Sequence, residues 1–124
     1  LRTSIIGPEI SGFVSLIAWV QKQSGQTIKG FTRHLWNGIT TKQFGIIVDE
    51  IVSHRNDYPD HGLFHVFSSD VTKFEMVKTI AKKFEVDVTV NPDDGPQLDR
   101  RLATVKNLCS KLNIPSFEEM LEDL

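Results

Sequence analysis

The segment Leu1-Arg2-Thr3-Ser4-Ile5-Ile6, followed at once by the turn Gly7-Pro8, is the strongest constraint on how this chain folds. Apolar and β-branched side chains fall on both of its alternating faces. That pattern belongs to a strand inside a parallel sheet, where helices cover each face and a neighbouring strand bonds each edge. The remaining sequence offers no obvious set of partners for it. The expectation is therefore that residues 1–124 are the C-terminal portion of a larger protein, with much of its chemistry upstream of Leu1.

The length suits one ordinary domain, since a chain of this size buries roughly two-thirds of its unfolded surface. Fourteen basic side chains stand against sixteen acidic ones, for a net charge of −2. Nothing resembles a basic stripe that would track a phosphate backbone, so nucleic acid is not an expected partner. The apolar stretches 13–20 and 44–52 are amphipathic and far shorter than the ~20 residues a bilayer requires, so no membrane role is expected. The start lacks the basic-then-apolar pattern of a signal peptide. Cys109 is the single cysteine, which permits no internal disulfide and fits a reducing, cytoplasmic setting. It falls on the apolar stripe Val105, Leu108, Cys109, Leu112, which argues against a nucleophile.

Periodicity alternates between strand and helix. Phe13, Leu16, Ile17 and Val20 recur at helical spacing, and Gly25 stops that helix. Residues 27–31 and 34–36 read as short extended pieces. Thr40 and Thr41 offer hydroxyl caps to a helix whose apolar face is Phe44, Ile47, Val48, Ile51 and Val52, fraying at 54–57. Residues 63–67 read as a buried strand, Ser68 to Asp70 as a break, and Phe74, Val77, Ala81 and Phe84 as the inner face of another helix. Residues 86–90 alternate as a strand, 91–96 read as a loop, and 104–112 and 116–124 as closing helices. This order predicts an α/β fold of parallel-sheet strands with crossover helices. No glycine-rich dinucleotide turn, phosphate loop or nucleophile elbow occurs. The one tyrosine, Tyr58, has Gly62 rather than a lysine four residues on.

Several segments in order resemble a known family. These are the opening strand through Gly7-Pro8-Glu9, Lys29-Gly30-Phe31, Trp36-Asn37-Gly38-Ile39-Thr40-Thr41, Gly62-Leu63-Phe64-His65-Val66, Lys73-Phe74-Glu75, Arg100-Arg101 and the terminal helix pair. Together they are similar to the C-terminal, substrate-binding portion of extended short-chain dehydrogenase/reductases, in particular the dTDP-4-dehydrorhamnose reductase-like branch and its nucleotide-sugar epimerase relatives. The resemblance implies a Rossmann-type fold whose N-terminal NAD(P)-binding half, with its glycine-rich turn and Tyr-x-x-x-Lys pair, lies outside this chain. It implies a lobe that closes over a dTDP- or UDP-linked 4-keto sugar in an oxidoreductase of deoxysugar or polysaccharide synthesis. Reductase, epimerase and dehydratase remain alternatives, as does a homo-oligomer. No catalytic residue and no metal are expected within the chain.

A sugar nucleotide calls for arginines at its diphosphate, an apolar slot for its base, and amides or hydroxyls for its sugar. The resemblance puts Arg101 near the diphosphate and Arg33 facing the nucleotide. Asn37 could present its amide, although Asn-Gly also favours a tight turn at positive φ. Trp36 could stack on a base or sugar, or pack beneath the following helix. Glu9, at the strand's C-terminal end, could accept a sugar hydroxyl or cap the next helix. Trp19, between Ala18 and Val20, is expected in the core or at a lobe interface. His54, His61 and His65 are too differently placed to converge on a metal, and His65 reads as a hydrogen-bonded core histidine. Two other classes stay open. One is a non-catalytic regulatory subunit that docks a partner through Phe117, Met120, Leu121 and Leu124. The other is a free-standing small α/β binding domain.

Overall fold

A computed structural model describes all 124 residues as an α/β arrangement. In chain order its elements are β1 (Ile5–Ile6), α1 (Leu16–Gln21), β2 (Thr27–Phe31), β3 (His34–Trp36), β4 (Ile39–Thr40), α2 (Thr41–Ser53), β5 (Val71–Thr72), α3 (Lys73–Lys83), β6 (Thr89–Asp93), β7 (Leu98–Asp99), α4 (Leu108–Leu112) and α5 (Phe117–Glu122). Three short ladders result. β1 pairs with β4 and β2 with β6, both in parallel, and β3 lies between antiparallel β5 and parallel β7. Crossovers through α1 and α3 connect the parallel pairs, as the alternating periodicity requires.

The opening segment finds partners along one edge only. Arg2 donates its N–H to the Phe64 carbonyl at 2.8 Å and accepts from Val66 N–H at 2.9 Å, while the Ser4 carbonyl accepts from Ile39 N–H at 2.9 Å. Because backbone groups alternate in direction along a strand, Thr3 and Ile5 aim theirs at the opposite, unpaired edge. Ile6 is buried, yet Ile5 is 47% exposed, so one face of the segment is also uncovered. The strand expected over 63–67 is reduced to this bridge between Arg2 and His65.

Two apolar clusters form the core. Val20, Val77, Ile80 and Leu121 centre one, and Ile39, Ile47, Val66 and Met120 the other. α5 serves both, since Phe117 and Leu121 enter the first while Met120 enters the second. The apolar face of the terminal helix is thus consumed internally, contrary to the docking role entertained for it. Thr40 caps α2, accepting the Gln43 N–H, while Thr41 is the first helical residue. α3 and α5 begin with reciprocal capping boxes, Thr72 with Glu75 and Ser116 with Glu119.

Other expectations need correction. Residues 91–93 are not loop but continue β6 beside Lys29, Gly30 and Phe31. Thr89 N–H donates to Gln26 and Thr32 N–H to the Asp93 carbonyl, so the odd-numbered residues of β6 face β2. Pro92 therefore turns its missing donor toward the free edge, where no bond is lost. The helix expected over 104–112 shrinks to five residues, Leu108–Leu112. Phe13 lies outside α1 with φ of 52° and is 54% exposed, and Trp19 is 39% exposed, which sets aside the core placement of the two expected for it. Gly38 has no positive φ. Its small size is needed instead because a Cβ there would sit 2.2 Å from both the Ser4 carbonyl and the Trp36 ring.

Candidate functional site

A cavity of about 670 Å³ opens at the C-terminal end of β1, between Gly7-Pro8-Glu9, the start of α2 at Thr41, and the exposed face of β3. This is where open α/β sheets place ligands. The three residues of β3, His34, Leu35 and Trp36, all border it. Leu35 of β3 is opposite Thr72 on one side and Asp99 on the other. One step further along β5 and β7 lie Lys73, level with His34, and Arg100, whose N–H bonds the Leu35 carbonyl at 2.9 Å. Leu98 of β7, Arg100 just beyond it and Lys73 at the start of α3 line the cavity with them.

Arg101 is not in this lining. Its guanidinium is held by Asp99, with Nη2 2.7 Å from Oδ2, and by Asp70, with Nη1 2.7 Å from Oδ2. This paired guanidinium lowers the Asp99 carboxyl to about 2, and Arg101 is in turn held more firmly protonated. Arg101 is therefore not among the cavity residues, although the resemblance assigned it to a diphosphate. Arg33 is exposed and donates to the Gln97 side chain at 2.7 Å, also outside the lining. Asn37 is 3% exposed, and its amide is engaged by the Leu102 backbone, donating to the carbonyl and accepting from the N–H.

Trp36 and Glu9 do line the cavity. Trp36 donates Nε1–H to Ser4 Oγ at 2.7 Å and meets the Phe117 ring edge-on at 5.8 Å, which fixes the indole as a wall. Glu9 accepts the Val14 N–H at 2.8 Å, and that bond first of all lowers its carboxyl below the ordinary range. It is the one carboxylate in the lining. Met76, Leu16, Leu35 and Leu98 supply an apolar floor. His65, read as a bonded histidine, places Nδ1 2.8 Å from the Ala103 carbonyl.

Sequence reasoning missed Lys73, His34 and Arg100 as lining residues. Adjacent Arg100 and Arg101 were visible, but only the structure shows that Arg100 borders the cavity while Arg101 is tied to Asp70 and Asp99. His34 packs its ring 4.5 Å from that of Phe31, and its Nε2 is buried without a hydrogen-bond partner. Lys73 Nζ lies 6.0 Å from the Phe31 centroid. No group of His, Cys, Asp and Glu has metal-binding geometry. A Cβ on Gly7 would meet Thr41 Oγ1 at 2.2 Å, so the turn after β1 packs against the start of α2 only because residue 7 is glycine.

These elements make up an α/β fold like the corresponding portion of reductases of known structure. Solved structures carry the likeness further, to dTDP-4-dehydrorhamnose reductases. The enzyme from Bacillus anthracis, solved in complex with NADP, matches 95% of this chain with a TM-score of 0.67 and 18% identity. Those from Yersinia enterocolitica and Clostridium acetobutylicum each match 96% with TM-scores of 0.63 and 16% identity. The chain spans 43%, 45% and 44% of their respective lengths, so the likeness is to less than half of each. No family model matches the sequence, and no curated protein does so.

Proposed function

We propose that this chain is the substrate-binding portion of an NAD(P)-dependent reductase acting on a nucleotide-linked 4-keto sugar. The observation that carries the reading is the cavity itself, which combines an apolar floor with cationic walls at the strand ends of a reductase-type fold. Few soluble ligands need both; a nucleotide sugar does. The open edge at Thr3 and Ile5 supports the companion proposal that a further NAD(P)-binding Rossmann portion continues the sheet there.

When bound, the nicotinamide would supply hydride to the keto carbon. Residues of this chain would do the holding. Trp36, fixed by Ser4 and Phe117, would offer its face to the base or sugar, and the apolar floor would keep water from the reacting end. Glu9 has an acceptor lone pair to spare beyond Val14 N–H and would take a sugar hydroxyl. Arg33, Asn37 and Arg101 would act at one remove, by setting the strands that carry the lining. Proton donation would belong to a Tyr-x-x-x-Lys pair outside the 124 residues.

Titration of the protein with dTDP- and UDP-linked sugars, followed by amide shifts, tests the proposal. Perturbations are expected at Trp36, Leu98 and the Gly7-Glu9 turn, with no turnover of a 4-keto sugar nucleotide by residues 1–124 and NADPH. Unperturbed cavity amides at millimolar ligand, or turnover by these residues alone, would overturn it.

A further inference from the structure

Residues 10–14 form a loop whose apolar side chains have nothing to cover them. Ile10 is 101% exposed, Val14 86% and Phe13 54%, and none of them belongs to either core cluster. Both ends of the loop border the cavity, Pro8 and Glu9 before it, Ser15 and Leu16 after it. The backbone of the loop is also strained. Phe13 adopts a φ of 52° directly after Gly12 at 89°, and a bulky side chain in the left-handed region persists only where its surroundings hold it there. Two side chains do the holding, through bonds that are both exposed. Glu9 Oε2 accepts the Val14 N–H at 2.8 Å, and Lys22 Nζ donates to the Phe13 carbonyl at 3.0 Å. Ser15, in the extended geometry of an N-cap ahead of α1, makes no capping bond, and its hydroxyl is buried without a partner. A serine hydroxyl is the usual group for capping a helix start, so the grip of Glu9 on Val14 is replaceable.

We propose that residues 10–14 are a lid for the cavity, latched away from it by Glu9 and Lys22 and closed over a bound ligand by Phe13. This rests on the reading of the cavity as a nucleotide-sugar site and adds how that site opens and closes. Exposed charge-assisted bonds exchange with water at little net cost, so the latch yields to modest competition. A ligand hydroxyl at Glu9 supplies that competition, because it draws on the same carboxylate. Closure turns Phe13 toward Leu98 and Met76 of the apolar floor, relieves its left-handed backbone and removes apolar surface from water. Phe13 stands three residues before Leu16 of the same floor, about 10 Å of extended chain at most, so the movement is confined to rotation about Gly12 and Phe13.

The test compares the parent with Lys22→Ala, Phe13→Ser, Phe13→Leu and Val105→Ser, each checked by circular dichroism for an intact fold. Nuclear Overhauser contacts of residue 13 are recorded without ligand and with dTDP-glucose or UDP-glucose, and stopped-flow tryptophan fluorescence follows dissociation. Contacts from the Phe13 ring to the Leu98 and Met76 methyls are expected to appear when ligand is added. Lys22→Ala removes part of the latch. It should therefore show a weaker set of the same contacts without ligand and tighten binding about threefold, the worth of one exposed bond. Phe13→Ser should speed dissociation about tenfold or more, as loss of a buried ring predicts, and Phe13→Leu should keep the slow rate. Val105→Ser, which alters an equally exposed apolar residue elsewhere, should change nothing.

If a sugar nucleotide binds while residue 13 gains no contacts, or Phe13→Ser releases it at the parent rate, the lid is overturned and the sugar-nucleotide reading stands. If neither sugar nucleotide binds but Lys22→Ala brings Phe13 against Leu98 and Met76, the lid stands and that reading fails. Absence of both binding and contacts overturns both.

Discussion

The side-chain amide of Asn37 and the backbone of Leu102 close a two-bond ring, Nδ2 donating to the carbonyl at 2.9 Å and Oδ1 accepting the N–H at 2.8 Å. A side chain here does what a neighbouring strand would otherwise do. It fastens the segment following β7 to the turn between β3 and β4, and so holds Arg100 in place. Asn37→Ala should leave two partly buried backbone groups unpaired and cost about 1–3 kcal/mol. Urea denaturation would measure this, and a loss below about 0.3 kcal/mol would show that the ring is dispensable.

Gly38 lies where no larger residue fits. Gly38→Ala forces a methyl against the Ser4 carbonyl and the Trp36 ring, two groups that are themselves hydrogen-bonded to neighbours. Destabilisation of about 1–3 kcal/mol is expected from overpacking, with disturbed Trp36 indole N–H shifts. An unchanged indole resonance would mean that the ring moves freely, contrary to its fixed role.

Thr72→Ala removes the cap of α3 and should cost about 1 kcal/mol. Its hydroxyl accepts the Glu75 N–H, and Glu75 accepts the Thr72 N–H in return. Because Lys73 is the next residue, the loss should also appear as faster amide exchange across the first turn of α3. Equal exchange in parent and variant would contradict this.

The Asp99 carboxyl, lowered to about 2 by Arg101, carries a defined pH signature. A group depressed in the folded state contributes stability above its unfolded value, ~3.9, and loses it as pH falls through the folded one. The contribution should therefore be intact at pH 5 and vanish between about 4 and 2. In Arg101→Met the Asp99 carboxyl should titrate nearer the ordinary range and acid unfolding should begin at higher pH. Carboxyl-detected NMR titration reads the first effect and circular dichroism the second; an unmoved Asp99 would show that another group holds it.

Backbone exchange tests the one-sided pairing of the opening segment. Amides of Thr3 and Ile5 should exchange far faster than those of Ile39 and Val66, which are bonded to it. Comparable protection at all four would mean that the outer edge is already occupied.

Much of this was legible in the sequence. Helical apolar spacing located α2 and α3, and Thr72-x-x-Glu75 and Ser116-x-x-Glu119 mark two helix starts by their chemistry alone. The unmet demands of the opening strand were also visible, in its two apolar faces. What escaped is tertiary: choosing between Arg100 and Arg101 required knowing that Arg101 is held by Asp99 and by Asp70, thirty-one residues away. Composition misled at 91–93, because a proline is a loop signal only when its nitrogen faces a partner strand. Asn37-Gly38 looked like a turn, yet each residue answers to a tertiary neighbour distant in sequence.

Pro92 has a further consequence for how such a sheet can grow. The outer side of β6 cannot offer an unbroken row of donors to an arriving strand, so addition there is discouraged by covalent chemistry rather than by bulk. The outer side of Leu1-Arg2-Thr3-Ser4-Ile5-Ile6 carries no such block. The ladder of β1 and β4 thus keeps an edge open to a new strand, while the separate ladder of β2 and β6 is interrupted on its outer side at Pro92.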